Sequence, residues 1–258
     1  MALRAVLFDL DGTLYQQGRA VPGAVDAVAA VRAAGLAVGF VTNTTSRPRR
    51  AIHQRCAGYG FRLAEPEITT ALLAGARRLR SLGIARVHAV VTEAARADLA
   101  GFTLTDEHPE AVLVGDIDLA WNADILNRAF RHLMDGARFF ALSRDRYWLA
   151  DGGLRLDCGS FVAALEYATG VPAELCGKPA AEFYRAAVEQ VAPGAPPGEV
   201  LMVGDDLWSD IAGARDAGLR TCLVRTGKFR RDVLETSGIV PDLLVDSAAA
   251  IPAALPRA

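Results

Sequence analysis

Two aspartates stand one residue apart at the end of the first apolar run of the chain. The run covers residues 5–8 and leads into Asp9 and Asp11, followed by Gly12 and Thr13. Because carboxylates at the end of a buried strand are costly to desolvate, a compensating cation is expected beside them. Paired carboxylates can also divide chemical work, one attacking as a nucleophile while the other moves a proton. The alternative is an ordinary turn, since aspartate and glycine are frequent turn residues.

A second acidic cluster, far along the chain, has the same design. The apolar run at 200–203 leads through Gly204 into Asp205 and Asp206, and Asp210 follows a few residues later. Carboxylates this close repel one another unless a cation or hydrogen bonds offset them. Asp210 can alternatively cap the helix that follows. Two strand-end acid clusters that converge on one hard cation predict a phosphoryl-transfer site.

Two further segments carry groups that suit a phosphate. Thr42 and Asn43 end the second apolar run, where a hydroxyl and backbone N–H groups can hold phosphate oxygens. Lys178 stands between Gly177 and Pro179 and supplies a cation beside a turn. Each signal is weak alone, because threonine and asparagine are common in turns and most lysines are exposed.

The elements that must position these residues are short strands alternating with helices. In the first and last thirds we predict strands at 4–9, 36–42, 199–203, 220–224 and 242–245, and helices at 23–34, 182–191 and 210–217. This alternation is typical of a parallel sheet with helices on both faces, in which ligands bind at the carboxyl ends of the strands. Asp9, Thr42 and Asp205 all fall at predicted strand ends, so we expect one shared site.

The middle of the chain alternates as well but has no strand-end acid pair of its own. Strand-like runs lie at 87–91, 111–115, 138–142 and 147–149, with helices at 122–134 and 160–169. We therefore predict a second α/β domain, residues 84–176, inserted into a core made of residues 1–83 and 177–258.

Composition limits the classes of function. The chain has 258 residues, of which 52% are hydrophobic and 22% charged, so it can bury a large core. A net charge of -2 gives no reason to expect a nucleic acid or an anionic membrane as partner. With no apolar run of membrane-spanning length and no signal-peptide pattern, a cytoplasmic location is expected.

The cysteines and histidines show no metal-binding spacing. The four cysteines are far apart, so reduced and buried thiols are expected at positions 56, 158, 176 and 222. The four histidines form no HExxH or HxH pair, and we predict neither a histidine catalyst nor a histidine metal ligand.

The order of these motifs resembles the haloacid dehalogenase (HAD) superfamily of phosphatases. The chain carries DLDGT at 9–13, the strand-end Thr42, Lys178, and GDDLWSD at 204–210. The large insert between the threonine and lysine motifs is similar to the α/β cap of the NagD-like branch. The resemblance covers essentially the whole chain and implies a HAD-like Rossmannoid parallel-sheet core with an inserted α/β cap domain.

The resemblance also implies roles in catalysis and metal binding. Asp9 is the expected nucleophile that forms an aspartyl-phosphate, and Asp11 the expected general acid and base. Mg²⁺ is expected on Asp9, the backbone carbonyl of Asp11, and Asp205. Asp206 and Asp210 are expected to orient the groups around the metal.

The same resemblance assigns phosphate binding to Thr42, the Asn43 backbone and Lys178. It implies a Mg²⁺-dependent phosphatase acting on a small phosphorylated molecule, and, by analogy with other NagD-like caps, a homodimer. Alternatives are a phosphotransferase or phosphomutase using the same intermediate, and a non-catalytic phosphate-binding module. The natural substrate does not follow from the motifs, because specificity is expected in loops of the cap.

Overall fold

Residues 2–150 and 153–255 are described by the computed structural model of the protein, with the backbone alone at 149–150. The strands are β1 Ala5–Asp9, β2 Tyr15–Gln16, β3 Arg19–Ala20, β4 Ala37–Thr42, β5 Ile68–Thr70, β6 Arg86–Val90, β7 Thr103–Leu104, β8 Ala111–Val114, β9 Arg138–Ala141, β10 Tyr147–Ala150, β11 Gly153–Leu156, β12 Glu174–Leu175, β13 Val200–Gly204, β14 Arg220–Val224 and β15 Leu243–Val245. The α-helices are α1 Ala24–Ala33, α2 Arg49–Gly58, α3 Ala71–Ser81, α4 Ala123–Met134, α5 Cys158–Thr169, α6 Ala181–Val191, α7 Gly213–Asp216, α8 Arg231–Ser237 and α9 Ile251–Ala254.

The chain divides into two compact units. Unit 1 comprises the chain up to Thr42, Arg49–Thr69, and the chain from Lys178 onward, and unit 2 comprises Asn43–Pro48 and Thr70–Gly177. Helix α3 therefore belongs to unit 2, whereas the sequence analysis assigned residues up to 83 to the core. The physical reason is its apolar face, since Leu72 and Leu79 pack in one cluster with residues of β6, β8 and β9.

Unit 1 is built on a six-stranded sheet in the order β15-β14-β13-β1-β4-β5. Every residue of β1 and β13 is buried, as expected for central parallel strands covered on both faces. The strands pair in parallel, with Phe8 opposite Val203 and Asp9 opposite Val41. This register brings the carboxyl ends of β1, β4 and β13 to one edge and confirms the predicted α/β parallel-sheet core.

Unit 2 has a five-stranded parallel sheet in the order β12-β9-β8-β6-β7 and a separate β10–β11 hairpin. Alternate residues of β8 face two apolar clusters, one with α3 and the other with α4 and α5. This period-two alternation places helices on both faces of the second sheet as well.

Local differences from the expected elements are small. The chain turns through the short β2–β3 hairpin directly after Asp11, which the sequence analysis did not predict. The helix predicted at 210–217 begins earlier, as a π-helical segment at Leu207–Ala212 that continues into α7. The four cysteines are free and buried, as predicted. Within the described ranges, each helix is too short or too polar to cross a membrane.

Candidate active site

A buried lysine joins carboxylates from two different elements of unit 1. The Lys178 ammonium donates to Asp9 Oδ1 at 2.5 Å and to Asp210 Oδ1 at 2.6 Å. All three side chains are almost completely buried. Lys178 precedes α6, Asp9 ends β1 and Asp210 lies in the π-helical segment, so the fold rather than local sequence brings them together.

Asp205 directly follows β13 and is buried beside the same edge of the sheet. Its Oδ1 accepts from the Thr13 hydroxyl at 3.3 Å, and its Oδ2 accepts from the Lys228 backbone N–H at 2.6 Å. Gly12 and Gly227 have positive φ angles of 90° and 59°, and a Cβ on either would overlap Asp205 Oδ2. Both positions therefore need glycine to let backbone approach the carboxylate.

The loop after β13 positions its own acids. Asp206 caps the π-helical segment, its Oδ1 accepting from the N–H groups of Trp208 at 2.9 Å and Ser209 at 3.0 Å. The Asp206 N–H in turn donates to Asp210 Oδ2 at 3.1 Å. Both oxygens of Asp210 are thus engaged, one by Lys178 and one by backbone. This arrangement fits a positioning role for Asp210 better than a free ligand.

The electrostatics of the cluster favour binding of a cation. Burial raises the pKa of Asp9 although Lys178 opposes the change, and burial together with the Asp9 charge raises the pKa of Asp205 well above its ordinary value. Burial raises the pKa of Asp210 to about 7. Burial alone would lower the pKa of Lys178, but the charges of Asp210 and Asp9 outweigh it and raise that pKa.

The cluster fits a hard divalent cation. One carboxylate oxygen from each of Asp9, Asp205 and Asp210 lies within 4.8 Å of the others. Three buried carboxylates share one buried ammonium, and their raised pKa values mean that full ionisation of the three needs a further positive charge beside them. The carboxylates offer only oxygen donors. That donor chemistry is the one Mg²⁺ prefers.

Three other predicted site residues, Asp11, Thr42 and Asn43, lie outside this buried cluster of carboxylates. Asp11 is exposed and its Oδ2 accepts from the Tyr15 hydroxyl at 3.2 Å. Thr42 is buried at the end of β4, one residue past the partner of Asp9. Asn43, the next residue, belongs to unit 2. The expectation that its backbone binds phosphate therefore rests only on its position directly after Thr42 in the sequence.

The loop after β14 also contributes to the site, and the sequence analysis gave it no role. The Thr226 hydroxyl donates to the Gly12 carbonyl at 2.6 Å, and the Lys228 ammonium donates to Asp206 Oδ2 at 2.9 Å. Burial alone would raise the pKa of Asp206, but Lys228 and two backbone N–H groups lower it. The position of this loop in the sequence could have indicated its role, because it also follows the carboxyl end of a core strand.

Comparisons with known proteins agree with this geometry. A haloacid dehalogenase-like hydrolase model matches residues 6–105, and a HAD-hydrolase-like model matches residues 175–251. The chain is 40% identical to human haloacid dehalogenase-like hydrolase domain-containing protein 2 over 95% of this chain and 93% of that protein. It is 38% identical to the Xenopus laevis phospholysine phosphohistidine inorganic pyrophosphate phosphatase over 88% and 85%.

Solved structures give the same result. NagD from E. coli K-12 matches with a TM-score of 0.88 at 31% identity, over 96% of this chain and 98% of that one. The p-nitrophenyl phosphatase from Archaeoglobus fulgidus matches with a TM-score of 0.92 at 28% identity, over 99% and 100%. The chain therefore belongs to the haloacid dehalogenase-like hydrolase family, in its NagD-like branch.

Proposed function

We propose that this hydrolase is a Mg²⁺-dependent phosphatase that acts on a small phosphorylated molecule through an aspartyl-phosphate on Asp9. The observation that carries the proposal is the buried Asp9–Lys178–Asp210 contact beside Asp205. A carboxylate held by an ammonium, next to a cation site and at the carboxyl edge of a parallel sheet, suits attack on phosphorus.

Asp9 attacks the phosphorus, its carboxylate forming a new O–P bond as the bond to the leaving oxygen breaks. Lys178 holds Oδ1 at 2.5 Å, which orients the carboxylate, and we assign the attack to Oδ2. Water then hydrolyses the acyl phosphate, which restores the Asp9 carboxylate and releases inorganic phosphate.

Asp11 moves the protons in both steps. Its exposure lets it meet a leaving group and water, and the Tyr15 hydroxyl restrains its position. It protonates the departing oxygen and then accepts a proton from the attacking water. The two aspartates therefore have different tasks because one is buried on β1 and the other lies past its end.

The phosphoryl oxygens need positive charge and hydrogen-bond donors. Lys178, the Thr42 hydroxyl and the Asn43 backbone N–H are the groups that we assign to them. Thr42 and Lys178 both belong to unit 1 and are buried, which supports their use as donors that are already in place.

Asp9, the backbone carbonyl of Asp11, and Asp205 would hold Mg²⁺, with Asp210 and Asp206 positioning the surrounding groups. The bound ion supplies a positive charge that neutralises phosphoryl oxygens during transfer. Thr13 and Lys228 keep Asp205 in place through the hydrogen bonds described above. Names of similar proteins, which include p-nitrophenyl phosphatases and a phospholysine phosphohistidine inorganic pyrophosphate phosphatase, support phosphoryl bonds as the substrate class.

Phosphate release by the purified full chain tests this function. Activity on an aryl phosphate is expected with Mg²⁺, to disappear in EDTA and to return with added Mg²⁺. Asp9→Asn is expected to abolish it, whereas the matched control Asp26→Asn, at an exposed position on α1, is expected to retain it. Equal activity of Asp9→Asn and wild type would refute the proposal, and full activity in EDTA would refute its metal.

Leaving-group dependence tests Asp11. Asp11→Asn is expected to slow hydrolysis of an alkyl phosphate by about 10²–10⁴-fold, because a poor leaving group needs protonation. The defect on p-nitrophenyl phosphate should be smaller, since that leaving group departs as a stable anion. Equal defects on the two substrates would contradict the acid role. A glycerol acceptor in the same assay separates hydrolysis from phosphotransfer.

A further inference from the structure

Unit 2 contains a cluster of two histidines and one aspartate that has no part in the proposed reaction. His88 lies on β6, Asp106 follows β7 and His132 lies in the last turn of α4. One ring nitrogen of each histidine and one carboxylate oxygen of Asp106 lie within 4.8 Å of one another. The three residues come from separate elements, so the fold of unit 2 assembles the group.

Asp106 determines which nitrogen of His88 carries the proton. His88 Nδ1 lies 2.7 Å from Asp106 Oδ1, and an ionised carboxylate can only accept. Nδ1 is therefore protonated, and Nε2 of the neutral ring has a bare lone pair. Burial lowers the pKa of His88, which keeps the ring neutral, and Arg128 lowers the pKa of Asp106, which keeps it ionised.

The Nε2 atoms of His88 and His132 are both buried and have no hydrogen-bond partner among residues 2–150 and 153–255. His88 as a whole is only 8% exposed. A buried polar atom without a partner is costly, so such an atom in a native fold needs an explanation. A metal ion would satisfy the Nε2 lone pair of His88. It would satisfy Nε2 of His132 as well when the proton of that ring is on Nδ1.

A cavity lies beside His88, and two donors hold the Asp106 carboxylate in place. A cavity of about 300 Å³ beside the cluster is lined by His88, Asp106, Arg96 and Arg128 and by apolar residues such as Val90 and Ile125, and His132 is not among its lining residues. Arg128 donates to Asp106 Oδ2 at 2.9 Å while His88 uses Oδ1, so the carboxylate is restrained on both oxygens. A histidine oriented by a carboxylate is a common arrangement around protein-bound zinc.

We propose that His88 and His132 bind one late first-row divalent transition ion such as Zn²⁺ through their Nε2 atoms, in unit 2, with Asp106 orienting His88 rather than contacting the ion. Imidazole nitrogens suit Zn²⁺, Co²⁺ or Ni²⁺, whereas Mg²⁺ prefers a set of oxygens only. The ion selectivity therefore differs from that of the acidic cluster in unit 1, and the site is independent of the proposed phosphatase activity.

Zn²⁺ binding to the tag-free full chain, stripped with EDTA and then kept in excess Mg²⁺, tests the site. A chromophoric chelator competes for Zn²⁺ and reports both stoichiometry and affinity. The wild type is expected to bind one Zn²⁺, and His132→Gln is expected to weaken that binding by at least tenfold. Asp106→Asn is expected to weaken it by roughly 10–100-fold. His108→Gln is the matched control, because His108 is exposed and outside the cluster.

Co²⁺ gives an independent readout of the ligands. The wild type and His108→Gln should show the same visible absorption bands, and His132→Gln should lose or shift them. The comparison requires that metal-free His132→Gln unfolds at the same temperature as metal-free wild type. If His132→Gln does not fold, Asp106→Asn is used in its place. Absence of Zn²⁺ binding at micromolar concentrations in the wild type, or equal Zn²⁺ affinity in all variants, would overturn the proposal.

Discussion

Replacing Lys178 with methionine removes one buried charge and retains a side chain of similar length. The ammonium lies 2.5 Å from Asp9 Oδ1 and 2.6 Å from Asp210 Oδ1, and it is almost completely buried. In Lys178→Met, both carboxylates lose their counter-charge inside unit 1. The expected result is a large loss of stability, separate from the loss of phosphate binding.

The structure sets the magnitude of this loss. At these distances, each attraction is about 6 kcal/mol at an effective dielectric constant of about 20, before any desolvation cost is subtracted. Because desolvation cancels most of that attraction, removing one partner of a buried ion pair costs about 3–5 kcal/mol. At roughly 2–4 °C per kcal/mol for a chain of this size, the midpoint of thermal unfolding should fall by about 6–20 °C.

The loss should depend on pH. Without the lysine, burial raises the pKa values of Asp9 and Asp210 further above those in the unfolded chain. Folded Lys178→Met then binds more protons than the unfolded chain, so its stability falls as pH rises through this range. The deficit relative to wild type is therefore largest at about pH 8 and smaller at about pH 5.

Thermal unfolding in EDTA, followed by circular dichroism, measures the deficit. Lys228→Met is the matched control, because the Lys228 ammonium also contacts a carboxylate, that of Asp206 at 2.9 Å, but its side chain is 57% exposed. Asp206 is only 16% exposed, but the Lys228 ammonium is open to solvent, so this variant should lose about 1 kcal/mol and much less than Lys178→Met. Equal destabilisation of the two variants, or a deficit for Lys178→Met that does not change with pH, would refute the reasoning.

Two further substitutions probe unit 1. Gly227→Ala places a methyl group against Asp205, so the Mg²⁺ concentration for half-maximal phosphate release should rise at least tenfold. Gly238→Ala is the control, because Gly238 has a similar φ of 72° and no atom within 4 Å of an added Cβ, and it should keep the wild-type value. Glu67 accepts two hydrogen bonds of 2.7 Å from Arg32, which lower its pKa although burial alone would raise it. A carboxylate whose pKa is lowered by folding adds stability that is lost as pH falls through its pKa in the folded protein. Glu67→Gln should therefore lower the free energy of unfolding, measured in urea, by about 1 kcal/mol at neutral pH and leave it unchanged in acid. A deficit independent of pH would contradict this.

The sheet edge of unit 1 could be predicted from sequence because its signal is local. Apolar runs of strand length, each followed by an acid or a threonine, give both the parallel sheet and the end at which Asp9, Thr42 and Asp205 lie. The contact of Lys178 with Asp9 and Asp210 could not be derived in this way, since it joins three elements far apart in the chain.

Other features depend on packing that no short motif encodes. Helix α3 resembles any amphipathic helix in sequence, and only the apolar strands that it meets assign it to unit 2. His88 and His132 lie on different elements, so no spacing rule links them before the sheet of unit 2 is formed. The π-helical start at Leu207 follows from hydrogen bonds to the Asp206 side chain rather than from helix propensity.

Trapping the phosphorylated nucleophile tests the proposed reaction most directly. Wild type and Asp11→Asn are mixed with p-nitrophenyl phosphate, whose leaving group needs no protonation, and Mg²⁺. The mixtures are quenched in acid and treated with borohydride, which reduces an acyl phosphate to an alcohol. Peptide mass spectrometry should find the reduced side chain at Asp9, with more of it in Asp11→Asn because hydrolysis of the intermediate is slower. Release of phosphate by the wild type with Asp9 unmodified in both proteins would contradict the assignment of Asp9 as nucleophile.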